Sequence, residues 1–282
     1  MDYLFGDNIS KLFEEREKKK FESYQSLDDY FSRTYNELGV EPYQFCYIYS
    51  DFRAFASCIN ANLEKEQFCE SIINPLINSK KTVIIPTFSY TTEGIFSIEK
   101  TPTHLGALNS WILSQPSVKR SEHPIFSFAA IGSKSSLVEN CGKSAFGKDS
   151  IHERLRGKKC CFINIGRPIE YGITLLHNVE QSCGASYRFH KTFKTRVFKE
   201  NEYIGSGYTA FVRRRDVPSH DFKFNFLKAS KMLYDAGIVN QVGEPTALTN
   251  VSLYDYDKTR EILVRAFLND PAIFLSKPFI QN

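Results

Sequence analysis

The run CCFINI at residues 160–165 is a nearly continuous stretch of apolar side chains, which is typical of a strand buried on both faces of a sheet. Three more short runs have the same character: residues 45–49 (FCYIY), 82–85 (TVII) and 126–131 (FSFAAI). Helical patterns lie between and after these runs, and this alternation indicates layers of helices covering a sheet. The sequence therefore predicts an α/β fold, a single domain whose central mixed sheet is flanked by helices.

The periodicity also places the remaining elements. Apolar and polar side chains alternate over residues 192–213, and this pattern predicts antiparallel strands. Helices are predicted at about 62–78, 105–115, 149–156, 173–183, 222–236 and 256–268. Since active sites in such sheets collect at the strand ends, the loops after the buried strands are the first places to search for functional residues.

The beginning of the chain differs from the rest. Residues 8–36 carry mixed charges at helical spacing and predict one or two surface helices. These helices precede the alternating elements of the α/β domain. Contact with a neighbouring subunit of a homo-oligomer is one role open to them.

Composition excludes several classes of protein. The net charge of +4 is small and its Lys and Arg residues are scattered, which argues against nucleic acid and suits an anionic small molecule. No apolar stretch is long enough to cross a membrane, and the first 20 residues are too charged for a signal peptide, so we expect a cytoplasmic protein. Seven cysteines without paired metal spacing predict reduced, structural thiols and no metal.

Two glycine-rich segments resemble nucleotide-binding motifs, but the residues next to them do not fit those motifs. Residues 142–148 (GKSAFGK) have the spacing of a phosphate loop, yet Asp149 stands where Ser or Thr would hold magnesium. Residues 205–210 (GSGYTA) precede a strand-like segment where a dinucleotide fingerprint needs a helix. Neither the serine hydrolase elbow nor the zinc protease helix signature occurs.

Two histidines are the candidates for chemistry. His177 and Glu180 are three residues apart on a predicted helix, where Thr174 is a suitable cap, so the carboxylate can orient an imidazole that acts as a base. From spacing alone, a structural histidine paired with a surface glutamate is the favoured interpretation. His123 precedes Pro124 and a buried strand, so its side chain can be aimed into a cleft. We expect the other four at the surface: His104, His152, His190 and His220.

The stretches 119–132 (KRSEHPIFSFAAIG) and 174–180 (TLLHNVE) resemble the two signature segments of the aminoglycoside 3-N-acetyltransferase family. Segments 38–42, 86–89 and 269–275 also fall in the family's order, so the resemblance covers about residues 36–276. The resemblance therefore divides the chain into a helical N-terminal extension, residues 1–35, and one acyl-CoA-dependent N-acyltransferase domain, residues 36–282. It implies the antibiotic N-acetyltransferase fold, which is not GCN5-related, and direct transfer of an acyl group from coenzyme A to a sugar amine without a metal.

The resemblance also implies roles for individual residues. His177 matches the catalytic histidine, the general base, and Glu180 matches its neighbour. A covalent intermediate on Cys183 is a rival mechanism, although six residues separate that thiol from the histidine. The residues expected to bind coenzyme A are Ser50, Asp51, Thr87, Phe88, Ser89 and Ser127.

Two departures from the family bear on the ligands. The first strand-end loop reads Tyr49-Ser50-Asp51 where the family usually has His-Ser-Ser, so Asp51 lies beside the expected pyrophosphate or faces the acceptor amine. Resistance enzymes place carboxylates after the second signature, whereas this chain has residues 187–191 (YRFHK) and 213–216 (RRRD) there. Arginines suit phosphate rather than a polycation.

We therefore predict that the acceptor is a nucleotide-linked (dTDP-type) amino sugar used for surface polysaccharide. In this hypothesis His123 lines the acceptor site, and Arg213 and Arg215 meet the diphosphate. The alternatives are a solvated arginine cluster at a strand end, true aminoglycoside acetylation for antibiotic resistance, and an inactive sugar-binding or scaffold protein.

Overall fold

The computed structural model of the protein describes residues 24–52, 64–214, 224–243 and 250–276. The helices are α1 (Tyr24–Glu37), α2 (Lys65–Asn78), α3 (Ala107–Ile112), α4 (Ile151–Leu155), α5 (Leu175–Ser182), α6 (Phe226–Asp235) and α7 (Tyr256–Asn269). The strands are β1 (Phe45–Ser50), β2 (Thr82–Pro86), β3 (Ile95–Ser97), β4 (Lys119–Arg120), β5 (Phe128–Gly132), β6 (Cys160–Ile165), β7 (Arg188–Thr192), β8 (Arg196–Lys199), β9 (Glu202–Gly205), β10 (Thr209–Arg213), β11 (Val239–Val242) and β12 (Val251–Asp255).

Seven strands form the central sheet in the order β11-β12-β6-β1-β2-β5-β4. Its three middle strands, β6, β1 and β2, are parallel, and the strands on both sides of them are antiparallel to their neighbours. All residues of β6 and β2 are buried, as their continuous apolar runs predict. The predicted α/β fold with a central mixed sheet is confirmed.

Strand β12 lies next to β6 in this sheet but has no clear signal in the sequence. It runs directly into α7, because Asp255 both ends the strand and caps the helix by accepting a hydrogen bond from the Lys258 N–H at 2.8 Å. No Gly or Pro separates the two elements, so the residues that usually mark a boundary between elements are missing. The short strands β3, β4 and β11 also went unpredicted.

Two small sheets lie beside the central one. Strand β8 pairs with β9 and β3, and β7 pairs with β10 in antiparallel fashion, which confirms the antiparallel strands predicted within residues 192–213. Strand β7 begins earlier than predicted, and its first residue, Arg188, lies opposite Arg213 in β10. This register places two arginines that are 25 residues apart in the sequence at the same end of the β7–β10 pair.

Helix α1 is part of the hydrophobic core in the described chain. Leu27, Phe31 and Tyr35 are buried in the cluster that also contains Phe68 of α2, and the Tyr35 hydroxyl donates to the carbonyl of Ile72 at 2.9 Å. The predicted surface helix therefore covers one face of the sheet together with α2. The predicted domain boundary at residue 35 falls inside this packed helix.

Replacing Phe31 tests whether α1 belongs to the folded domain. We expect Phe31→Ala to lower the free energy of unfolding by about 3 kcal/mol, because the ring is fully buried and leaves a cavity. Urea denaturation measures the loss. Arg33→Ala on the exposed side of the same helix is the control, with an expected change within about 0.5 kcal/mol. Equal stability of the two variants would show that residues 1–35 are an appendage.

The six cysteines in the described ranges are free thiols. Cys58 lies outside those ranges. In the part of the chain that the structure describes, no helix has the length and apolar character needed to span a membrane.

Candidate active site

A cleft of about 230 Å³ opens at the carboxyl ends of β1, β2 and β6, where the parallel strands of the sheet meet the loops. This is the edge at which α/β sheets bind ligands. Its lining consists of aromatic, small and polar side chains with one arginine: Tyr49, Ser50, Pro86, Phe88, Tyr90, Leu105, Gly106, Asn109, Arg167, Gly172, Ile173, Thr174, His177 and Phe226. Among the described residues, no carboxylate lines the cleft.

Two tyrosines of β1 hold the start of helix α5 against the sheet. The Tyr49 hydroxyl accepts a hydrogen bond from the Thr174 N–H at 3.0 Å and makes a short contact with the Thr174 hydroxyl. The Tyr47 hydroxyl lies 3.1 Å from the same oxygen. Thr174 occupies the cap position as predicted, but its side chain bonds these tyrosines and no N–H of the helix. The start of α5 is therefore fixed by the strand rather than by a local cap.

Helix α5 brings His177 to the cleft and Glu180 behind it. The His177 side chain is 22% exposed and lines the cleft, whereas Glu180 is completely buried. Their Nδ1 and Oε2 atoms are 2.9 Å apart, so the predicted pair forms a direct hydrogen bond. Arg188 Nη2 also lies 3.0 Å from Nδ1. In the tautomer in which Nδ1–H donates to the carboxylate, the other ring nitrogen, Nε2, carries a lone pair that can accept a proton.

Two further residues complete this cluster, and both come from the beginning of β7. The Tyr187 hydroxyl donates to Oε1 of Glu180 at 2.8 Å, and Arg188 forms an ion pair with Oε2 at 2.8 Å. Arg188 is 5% exposed and also donates to the carbonyl of Phe211 at 2.7 Å. We call Glu180, Tyr187 and Arg188 the support triad of His177.

The charges of the support triad set the protonation of the site. Burial lowers the pKa of His177, the Arg188 cation lowers it further, and the hydrogen bond to Glu180 opposes both effects. Burial alone would raise the pKa of Glu180, but the bond from His177 and the charge of Arg188 hold it below its usual range. At neutral pH the imidazole is therefore uncharged and the carboxylate ionised.

The residues predicted to bind coenzyme A separate into two groups. Ser50 and Phe88 line the cleft, while Thr87, Ser89 and Ser127 are buried behind it. These three are tied to the protein itself: the Ser127 hydroxyl donates to the carbonyl of Thr87 at 2.7 Å, and the Ser89 hydroxyl to that of Pro124 at 2.6 Å.

Asp51 follows β1, where its N–H donates to the carbonyl of Ile165 at 2.9 Å, and it lies outside the cleft lining.

Arg120 explains why the loop after β2 is turned inward. Its buried guanidinium donates to the carbonyls of Thr87 at 2.9 Å and Ile98 at 3.1 Å, and to the Ser127 hydroxyl at 3.2 Å. This arginine ends the two-residue strand β4, which the sequence pattern does not reveal. Part of the first signature segment therefore serves to shape the loop at the cleft.

His123 has a structural environment. It is 4% exposed, its Nδ1 accepts from the N–H groups of Ile125 and Phe126, and its Nε2–H donates to the carbonyl of Thr209 at 3.1 Å. Burial lowers its pKa to about 4, so the ring stays neutral. The structure does not bring His123 to the cleft lining.

The surface prediction for His152 is wrong. This residue is fully buried, and burial lowers its pKa to about 3. Its ring lies among Phe146, Phe128 and Tyr47, because apolar residues of α4 turn this face of the helix into the core. His104 and His190 are exposed as predicted, and His220 lies outside the described ranges.

Of the two arginines predicted to bind phosphate, the structure describes Arg213, which lies against the Phe224 ring next to His177. Arg213 is exposed, and its guanidinium lies 5.1 Å from the centre of the Phe224 ring, which is itself 5.8 Å from the His177 ring. Arg215 lies outside the described residues. Arg188, in the other basic segment, is committed to Glu180.

In the described ranges no group of three or more His, Cys, Asp or Glu side chains is arranged to hold a metal ion. Cys183 ends α5 and is partly buried, and the cleft lining does not include it.

The fold is shared with several solved proteins, among them aminoglycoside acetyltransferases. Aminoglycoside acetyltransferase AAC(3)-IVa superposes with a TM-score of 0.69 at 18% identity, covering 89% of this chain and 92% of that protein. AAC-VIa, solved with bound sisomicin, gives 0.68 at 17% identity over 84% and 96% of the two chains. The YokD protein of Bacillus subtilis gives 0.67 at 16% identity over 86% and 99%. No curated protein matches the chain by sequence.

The chain combines an acetyltransferase fold with a histidine and glutamate pair at the sheet edge. The family model described as aminoglycoside 3-N-acetyltransferase matches residues 76–250, more than half of the chain. The protein therefore belongs to the aminoglycoside 3-N-acetyltransferase family, whose members are enzymes that transfer acyl groups to amines and use acetyl-CoA as co-substrate.

Proposed function

We propose that the protein transfers an acyl group from acyl-CoA to the amine of a nucleotide-linked amino sugar, with His177 as the general base. The observation that carries this proposal is the neutral imidazole at the cleft, held by the buried carboxylate of Glu180 at 2.9 Å. A base of this kind typically contributes about 10²–10⁴ in rate.

The geometry supports direct transfer. Because Nδ1 is bonded to Glu180, Nε2 of His177 takes one proton from the attacking neutral amine. The amine nitrogen forms a bond to the thioester carbonyl carbon, and the carbon–sulfur bond breaks. The imidazolium then gives its proton to the departing thiolate, so the products are the amide and the free thiol of coenzyme A. Backbone N–H groups at the strand ends would stabilise the oxyanion between these steps.

The charge of the cleft supports an acceptor that is not a polycation. A substrate with several ammonium groups needs carboxylates around it, and the described lining has none. Arg167 in the lining and Arg213 beyond the Phe224 ring instead favour a ligand with phosphate groups. We place the reaction in the cytoplasm, in keeping with the free thiols of the described cysteines.

Aminoglycoside acetylation is the second candidate. The family is described by that activity, and a solved relative with 17% identity was crystallised with sisomicin. This alternative would require acidic groups from outside the described lining to reach the cleft.

One assay separates the two candidates. We expect free coenzyme A to be released when acetyl-CoA is incubated with a dTDP-linked amino sugar, and release at least about tenfold slower with gentamicin-type aminoglycosides, because no described lining residue neutralises their ammonium groups. The thiol is measured colorimetrically across a panel of both acceptor types and several acyl-CoAs. Faster release with an aminoglycoside would favour the second candidate, and no release with any amine would favour an inactive scaffold.

A further inference from the structure

Arg167 is the cationic side chain in the described lining of the cleft, and the loop after β6 holds it there. Gly166, with φ near +60°, turns the chain after the strand, and Asn164 donates to the Arg167 carbonyl at 3.1 Å. The guanidinium donates through Nη2 to the carbonyl of Tyr171 at 2.7 Å and lies 5.9 Å from the centre of the Tyr49 ring. The side chain is thus anchored in place before any ligand binds.

This guanidinium lacks an ionic partner in the described chain. Its one hydrogen bond goes to a neutral carbonyl, and its Nε is buried with no acceptor among the described atoms. Two other arginines with buried guanidinium groups differ from Arg167 in their partners: Arg188, whose Nε is likewise buried without an acceptor, pairs with Glu180, and Arg120 donates to several carbonyls and a hydroxyl.

A partly buried cation at an open cleft, with unused N–H groups, is a recognition site for an anion.

Gly172 lies beside this guanidinium. A Cβ atom at residue 172 would be in ordinary contact with Arg167 Nη2 at 3.7 Å, and the φ angle of +125° disfavours residues other than glycine. The same loop leads directly into α5 and His177. The anion site and the proposed base therefore lie on one short segment of chain.

We propose that Arg167 binds a phosphate group of the ligand that occupies the cleft next to His177. This assignment rests on the proposed function for its choice of phosphate over other anions. Two sources supply that chemistry: the diphosphate of coenzyme A and the diphosphate of a nucleotide-linked acceptor. Arg167 lines the cleft, whereas the guanidinium of Arg213 lies against the Phe224 ring and outside the cleft lining.

Calorimetric titration tests the assignment without requiring turnover. Coenzyme A is compared with pantetheine, which lacks the phosphates and the adenosine, and dTDP with thymidine, which lacks only the phosphates. We expect Arg167→Met to weaken binding of the phosphorylated member of one pair by about tenfold, with the unphosphorylated member unaffected. Arg167→Lys should retain part of the affinity because it keeps the charge.

Arg196→Met is the matched control, since Arg196 is an exposed arginine of β8 and lies outside the cleft lining. Loss in the coenzyme A pair identifies the cofactor as the source of the phosphate, and loss in the dTDP pair identifies the acceptor. Unchanged affinity of Arg167→Met for both phosphorylated probes, or no binding of either by the wild type, overturns the proposal. These outcomes do not depend on whether His177 is the base.

Discussion

The turnover of His177→Ala should fall by about 10²–10⁴-fold with acyl-CoA and the best amine acceptor at neutral pH. The physical reason is that the proposed base is lost while the binding groups of the cleft remain. Release of coenzyme A at saturating substrate measures the effect on kcat. Because the imidazole is part of a charged cluster, its removal also leaves Oε2 of Glu180 with Arg188 alone.

A second substitution separates chemistry from structure at this position. In His177→Asn the side-chain amide nitrogen can replace Nδ1 as a donor to Glu180, but no group replaces Nε2. We expect this variant to unfold at the wild-type urea concentration and to be as inactive as His177→Ala. His190→Ala, at an exposed histidine of β7, is the control and should keep full activity. Turnover within a few-fold of wild type in both His177 variants would rule out its role as the base.

Local patterns predicted the elements that carry the proposed base. The apolar runs of β1, β2 and β6 identify the buried parallel strands, and the three-residue spacing places His177 and Glu180 on one helix face. Both signals are short-range, since each depends on residues within one element. The site's position at the carboxyl edge of the sheet follows from the topology of such strands.

The remainder of the candidate site depends on contacts between distant segments. Nothing in the local sequence shows that Arg188 pairs with Glu180, because this requires the pairing of β7 with β10 and the packing of that strand pair on α5. For this reason the sequence alone favours a ligand-binding role for the basic segment at residues 187–191. The spacing likewise does not reveal that Arg120 turns Thr87 inward.

The arginines of this site differ in whether they form an ion pair with a carboxylate. Arg188 is neutralised by Glu180 and acts on the protonation of His177, whereas Arg167 lacks a described ionic partner and faces the cleft. In the sequence, both are simply basic residues. Their different roles become apparent only from the partners that each guanidinium group has in the structure.

Arg188→Met should destabilise the fold. Glu180 is completely buried, and removing its cation leaves a carboxylate with only the hydrogen bonds from His177 and Tyr187. Breaking a buried ion pair on one side typically costs about 3–5 kcal/mol. Urea denaturation at pH 7 measures the loss, with Arg196→Met as the exposed control. A change below about 1 kcal/mol would mean that water reaches the carboxylate in the folded protein.

The same substitution should move the acid limb of the pH–activity profile to higher pH. The Arg188 cation lowers the pKa of His177, so its removal raises that pKa, and more of the imidazole is protonated and unable to act as a base at neutral pH. The loss of kcat/KM should therefore be larger at pH 6 than at pH 8.5, where the imidazole is neutral again. A purely structural role would lower kcat/KM equally at every pH. Titration of the His177 ring by NMR measures the same shift without turnover, and an unchanged or lower pKa in Arg188→Met would contradict the electrostatic role of the support triad.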